Sequence, residues 1–198
     1  MSNTLGIQDM AGIIRDSIAV KQAVMTNTEL LSRIGALSDA CVTAYRQGRK
    51  LLLCGNGGSA ADAQHIAAEL SGRFYYDRPP LDAEALHVNT SYLTAVGNDY
   101  SYDEVYARMV RARGRAGDVL VAISTSGNSA NVLRAAEAAR ELGMTVAAWT
   151  GEGGGQLARL ADILIDIPSH NTPRIQEAHI LIGHILCEDI ERTLFPRY

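Results

Sequence analysis

From residue 50 onward the chain alternates short apolar runs with stretches of helical periodicity, and few architectures can satisfy that pattern. Residues 50–54, 84–88, 118–124, 144–150 and 162–167 are apolar runs bounded by Gly, Pro, Asn or Asp, which predicts five strands. Between them, residues 60–71, 102–113, 129–142 and 156–160 carry apolar side chains at helical spacing. Strands that are apolar throughout must be covered on both faces, and helices between them make the strands parallel. The expected class is therefore α/β, three-layered, with a five-stranded parallel sheet.

Two further helices precede the sheet. Ile7, Met10, Ile14, Ile18 and Val24 mark one over about 7–25; Leu30, Ile34, Leu37, Cys41 and Tyr45 mark a second over 29–47. Asn27 or Thr28 can cap the second, and Gly48 stands where a glycine commonly closes a helix. A last helix is expected from about Pro173, which has no N–H to lose in a first turn, to about Leu194. No internal repeat or Pro-rich linker interrupts the 198 residues, so one domain is expected: helices about 5–47, sheet core about 50–167, final helix about 173–194.

Composition narrows the function. The chain is 47% hydrophobic and 20% charged, enough apolar material for a sizeable core and incompatible with disorder. A net charge of −4 gives a field that repels nucleic acid. No apolar run reaches the roughly 18 residues of a membrane span, and the opening Met1-Ser2-Asn3-Thr4 lacks a signal peptide's basic and apolar regions; the expected location is the cytoplasm, without a membrane partner. Cys41, Cys54 and Cys187 are odd in number and widely spaced, which predicts reduced core thiols.

Two loops at strand ends draw attention. Gly55-Asn56-Gly57-Gly58-Ser59 follows the first strand and opens a helix, the arrangement in which unpaired amides and the positive end of a helix dipole attract an anion. It is neither a Walker loop, having no lysine, nor G-x-G-x-x-G; the same glycines also suit a plain tight turn. Ser124-Thr125-Ser126-Gly127-Asn128-Ser129 is the second loop, again between a strand and a helix. An N-cap uses one of its four hydroxyls, and the remainder suit a phosphate held by neutral donors. Since ligands of open parallel sheets bind outside the carboxyl ends of strands, a phosphate or sugar site is expected here.

A third set is polar and titratable. His65 and Glu69, four apart, share a helix face, which suits metal ligands and equally a surface pair. The last helix adds Gln176, His179 and His184 within an apolar run. His65, Glu69 and His184 form a plausible zinc set, with Gln176 able to add an oxygen. Gln176 and His184 are nonetheless eight residues apart, a rise of about 12 Å on a straight helix. Either the helix start is irregular or neighbouring chains share the ligands. His179 is a rival ligand or a satisfied core histidine; His87, in the second strand, reads as structural. Asn98 and Asp99 read as a turn cap or as binders of sugar hydroxyls.

Together these segments, with Ala63-Gln64-His65-Ile66-Ala67-Ala68-Glu69 and Arg174-Ile175-Gln176-Glu177, resemble the sedoheptulose-7-phosphate (phosphoheptose) isomerases of the sugar-isomerase (SIS) superfamily across nearly the whole chain. The resemblance implies a flavodoxin-like SIS fold and a homotetramer with active sites near subunit interfaces. It also implies an aldose–ketose isomerase converting sedoheptulose 7-phosphate to D-glycero-D-manno-heptose 7-phosphate, the first step towards ADP- or GDP-heptose precursors. Carried over by position, it makes His65, Glu69, Gln176 and His184 the site of one zinc per subunit, Glu69 the base and His184 the acid. Ser59, Ser124, Thr125 and Ser129 become phosphate contacts with Ser126 beside them; Asn56, Gly57, Gly58, Asn98 and Asp99 line the sugar. The alternatives are an isomerase of another phosphosugar, or a non-catalytic SIS tetramer that binds the DnaA replication initiator. In such tetramers the positions of Glu69 and His184 carry residues unfit for acid–base work.

Overall fold

The computed structural model describes residues 4–197. Seven α-helices and five strands follow in the order α1 (Ile7–Thr26), α2 (Thr28–Arg46), β1 (Leu51–Gly55), α3 (Gly58–Ser71), β2 (Ala83–Ala85), α4 (Thr90–Asp99), α5 (Val105–Arg113), β3 (Val119–Ile123), α6 (Ala130–Glu141), β4 (Thr145–Thr150), β5 (Ile163–Asp166) and α7 (Thr172–Leu194). The strands form one all-parallel sheet in the order β2-β1-β3-β4-β5. The pleat sorts the side chains: Leu51, Leu53, Val119, Val121, Ile123, Ala147 and Trp149 face a core shared with α2, α3 and α7. Leu52, Cys54, Leu120, Ala122, Val146 and Ala148 face a second core shared with α5 and α6. Apolar runs without alternation thus fill both sides of the sheet, as the sequence requires.

Local signals act as their chemistry dictates. Asn27 caps α2, its side chain accepting from the Leu30 amide at 3.0 Å, and Gly48 closes that helix at φ +67°. Pro173 sits in the first turn of α7. All three cysteines are free and buried, and burial pushes each thiol up to about 12. Among the described residues no helix is long and apolar enough to cross a membrane.

Three expectations need correction. The second strand is Ala83–Ala85, earlier and shorter than 84–88, because it is an edge strand paired with β1 alone; the ladder gains one more bond, Leu86 N–H to Leu53 O, before the chain turns. His87 therefore lies in that turn and not in the strand, and Val88, expected inside, is exposed. Residues 156–160 form only a 3-10 turn, Leu157–Arg159, and 102–113 begins with another, Tyr102–Glu104, before α5. Strand and helix boundaries depend on tertiary pairing as well as local pattern.

His179 lies on the buried face of α7, and its Nε2 faces the Thr150 carbonyl at 3.1 Å, a contact in which the ring nitrogen must donate. Burial pushes its pKa down to about 4 despite that bond. An unfolded histidine binds a proton at about 6.5. Between these values the unfolded chain is the more protonated, so stability is complete above pH 6.5 and falls as the pH drops towards 4, by up to ~3 kcal/mol. Urea denaturation at pH 7.5 and pH 5 should therefore show an acid loss that His179→Gln, which retains a donor for Thr150, largely removes.

Candidate active site

The strand order reverses between β1 and β3: one crossover leads outward to β2, and the other brings the chain back to β3 on the opposite side of β1. In a parallel sheet this opens a crevice at the carboxyl ends of those two strands. Both sequence-identified loops sit there, since Gly55, the last residue of β1, is in register with Ile123, the last of β3.

The glycine loop is built by steric necessity. Gly57 has φ +56°, and a Cβ on Gly55 would lie 2.8 Å from both the Cβ and the carbonyl oxygen of Ser59. Gly57 is the N-cap of α3 and offers no side chain; Ser59 N–H donates to Asn56 O at 3.0 Å and Ala60 N–H to Gly57 O at 3.1 Å, so among the described residues the amides of Gly57 and Gly58 are the ones left for solvent or a ligand. In the hydroxyl loop, Ser124 is buried; its Oγ lies 2.9 Å from Ser129 Oγ and 3.5 Å from Ser126 Oγ. Ser129 occupies the N-cap of α6 without a side-chain capping bond, so not even one of the four hydroxyls is used in the way sequence reasoning allowed. Thr125 is held through its carbonyl, which accepts from the Gly151 amide at 2.9 Å.

A reciprocal amide pair joins the loops. Asn56 Nδ2 donates to Asn131 Oδ1, and Asn131 Nδ2 donates to Asn56 Oδ1, each at 2.9 Å. Asn131 has no signal in the sequence because it lies inside α6, two residues beyond the hydroxyl loop. A glycine run was also missed: Gly153, Gly154 and Gly155 all have positive φ and back the hydroxyl loop closely. The unusual Gly-Glu-Gly-Gly-Gly string was the available signal.

Helices α3 and α7 carry the titratable groups side by side and in the same direction: Gly58 meets Gln176, Ile66 meets Gly183, and the chain just beyond α3 meets Glu191. His65 Nε2 lies 3.2 Å from Glu69 Oε1 and 3.2 Å from His184 Nε2. Two imidazole nitrogens facing each other cannot both donate, so one accepts from the other or both turn their lone pairs on a cation. Zinc with Zn–N near 2.0–2.1 Å has tetrahedral ligand spacings of about 3.3 Å, and both contacts fit that value. The three groups do not close a cage: among the described residues, no group of three or more His, Cys, Asp or Glu side chains is arranged as one. The donors are of the right type and spacing, and the enclosure is incomplete.

Gln176 is not with them. It lies at the other end of α3, where a Cβ on Gly58 would sit 2.6 Å from its Nε2. Since α7 is helical throughout Thr172–Leu194, an irregular helix start is excluded as a way to bring Gln176 to His184. His179 is turned into the core, away from the cluster. Asn98 and Asp99 end α4; Asn98 Nδ2 donates to Asp99 Oδ1 at 2.9 Å, and among the described residues their side chains make no bond to either loop. Asp62 joins the face of α3 that carries His65 and Glu69; its Oδ2 is buried without a partner, and burial pushes its pKa up to about 6, against the lowering pull of His65. Its three- and seven-residue spacing from those two was the overlooked signal.

An open parallel sheet with phosphate-type loops at its switch point and an imidazole–carboxylate cluster on the flanking helices is the architecture of a phosphosugar-handling α/β protein. The chain matches the SIS domain over residues 14–151 and belongs to that family, among its phosphoheptose isomerases. It is 57% identical over 186 residues to the phosphoheptose isomerase of Mycobacterium tuberculosis, covering 93% of this chain and 95% of that one. It is 50% identical over 182 residues to that of Aneurinibacillus thermoaerophilus, covering 92% of each. Among solved structures, the phosphoheptose isomerase of Francisella tularensis superposes with a TM-score of 0.91 at 38% identity, covering 96% of this chain and 100% of that one. That of Neisseria gonorrhoeae gives 0.87 at 46%, covering 93% and 97%.

The hydroxyl loop gives a direct test of this construction. Gly127 has φ +65°, and a Cβ there would lie 2.1 Å from the Gly154 carbonyl oxygen, a backbone atom that cannot swing away. Gly127→Ala should cost about 1–3 kcal/mol. Thermal denaturation should show a clearly lowered midpoint.

Proposed function

We propose that this protein interconverts sedoheptulose 7-phosphate and D-glycero-D-manno-heptose 7-phosphate. The observation that carries the reading is the meeting of Glu69 and His184 at His65, in a chain that also carries loops suited to a phosphate and whose relatives are phosphoheptose isomerases. The phosphate is assigned to Ser59, Ser124, Thr125, Ser126 and Ser129 with the amides of Gly57 and Gly58. The sugar chain is assigned to Asn56, Gly57, Gly58, Gln176, Asn98 and Asp99.

The reaction moves one proton between neighbouring carbons and one between their oxygens. Glu69, a carboxylate, takes the proton from C1 of the ketose, leaving an enediol, and returns it to C2. His184 donates a proton to the C2 oxygen as the carbonyl is reduced and recovers one from the C1 oxygen as the new aldehyde forms. The imidazole of His184 sits against Phe74, ring centroids 5.8 Å apart, which fixes its plane. Zinc held by His65, Glu69 and His184 of one chain, with Gln176 supplied by a neighbouring chain, would supply Lewis-acid polarisation of the sugar oxygens.

We assign a homotetramer to the same reading. The outer face of α1 exposes Ile7, Met10, Ile14 and Ile18, and Leu181 and Ile185 of α7 are exposed as well, large apolar side chains that a neighbouring chain would cover. A shared site would also let Gln176 of one chain complement the His65 and His184 of another. Light scattering should give four chains, and elemental analysis of the purified protein should give one zinc per chain. Glu69→Gln preserves shape and removes the base, so kcat on sedoheptulose 7-phosphate should fall at least ~10²-fold while phosphosugar binding persists. Wild-type protein inert on phosphosugars but bound to the DnaA initiator would overturn the reading.

A further inference from the structure

The most deeply buried ion pair among the described residues lies beyond the C-terminal end of α3. Arg78 and Glu191 have side chains only 2% and 0% exposed, with Arg78 Nε 3.1 Å from Glu191 Oε1. Burying a charge pair is costly unless every donor and acceptor is used, and here nearly all are. Glu191, on α7, accepts from the Phe74 amide at 3.0 Å and from the Tyr75 amide at 2.8 Å. Burial raises its pKa, but these amides and Arg78 outweigh burial and hold it below the ordinary carboxylate range. Arg78 directs the rest of its guanidinium at the end of α3: Nη2 donates to Glu69 O at 2.9 Å, and Nη1 donates to Leu70 O at 2.6 Å and Gly72 O at 3.2 Å.

These bonds connect the two helices that carry the reacting groups. The carbonyls seized by Arg78 belong to Glu69 and its neighbours, while Glu191 stands two turns beyond His184 on α7. The loop Glu191 holds also carries Phe74, whose ring lies against His184. We propose that Arg78 and Glu191 are positioning residues for the isomerisation: they clamp the end of α3 to α7 and, through Phe74, set the distance and ring orientation between Glu69 and His184. The inference rests on the proposed isomerase function. It makes a specific demand, because the clamp lies at one end of α3 and the phosphate loops at the other. Loosening it must disturb the acid–base pair and leave phosphate binding intact.

Arg78→Lys tests it without stranding Glu191, since the charge remains and only the planar fork onto the α3 carbonyls is lost. Steady-state kinetics with sedoheptulose 7-phosphate, at a temperature where circular dichroism shows the variant folded, should give a kcat roughly 10-fold or more below wild type with KM within about threefold. Zinc affinity, read by competition with a chromophoric chelator, should weaken about 10-fold. Phe74→Leu, which leaves the ion pair whole, should show the same split in milder form. Lys50→Met is the control: it removes the 2.9 Å Lys50–Asp118 pair at the amino ends of β1 and β3, which makes no bond to Arg78, Glu191 or Phe74, and should lower the melting temperature with kcat unchanged. Wild-type kcat in folded Arg78→Lys, an equal kcat loss in Lys50→Met, or a rise in KM alone would overturn the inference. Absence of turnover in the wild type would instead overturn the proposed function itself.

Discussion

The close approach of α7 to α3 governs what this molecule can do. At Gly183 a Cβ would lie 2.6 Å from the Cδ1 of the fully buried Ile66 and 3.7 Å from Trp149, so the two helices meet where one of them has no side chain. Close packing at that point has a direct chemical result, because the next residue, His184, is delivered onto His65 one position before Ile66. A larger residue at 183 would push α7 outward and separate the imidazoles. The sheet matters chiefly as the platform against which this helix pair is pressed, with Trp149 of β4 filling the space beneath it.

From that contact the site divides into two ends along α3. The N-terminal end, with the open amides of Gly57 and Gly58 and neighbouring hydroxyls, suits a group carrying full negative charge. The C-terminal end carries the imidazoles and carboxylate, groups whose side chains can accept and donate protons. The helix therefore acts as a ruler: the eleven-residue step from Gly58 to Glu69 separates anchoring from chemistry by about 16 Å along the axis. A substrate anchored at one end must be long, or a neighbouring chain must bring its own groups towards the first.

Much of the fold was legible because the strands are fully buried and therefore uniformly apolar, and because Asn27, Gly48 and Pro173 mark helix ends by mechanism. The edge strand was misplaced, since Leu86 and Val88 continue an alternation that only pairing with β1 could have terminated. In the site, His65, Glu69 and His184 were recognisable by type and resemblance, but their contact depends on a helix packing that spacing within one helix does not reveal. Gln176 was grouped with them although it faces Gly58. Asn131 and Arg78 were invisible for a related reason: each acts across more than local sequence, and a lone Asn or Arg inside or after a helix has no signature.

The Asn56–Asn131 pair has a consequence for how such a chain can change. Each amide donates one bond to the other and accepts one from it, and the partners are separated by 75 positions. Replacing one leaves its mate with an unanswered donor and acceptor in a half-buried crevice, a loss that a second replacement restores only if it arrives in matching form. The two loops are thus tied into one heritable unit. Drift at one strand end is checked by the other, and a lineage can remodel the mouth of this site only by altering both loops together.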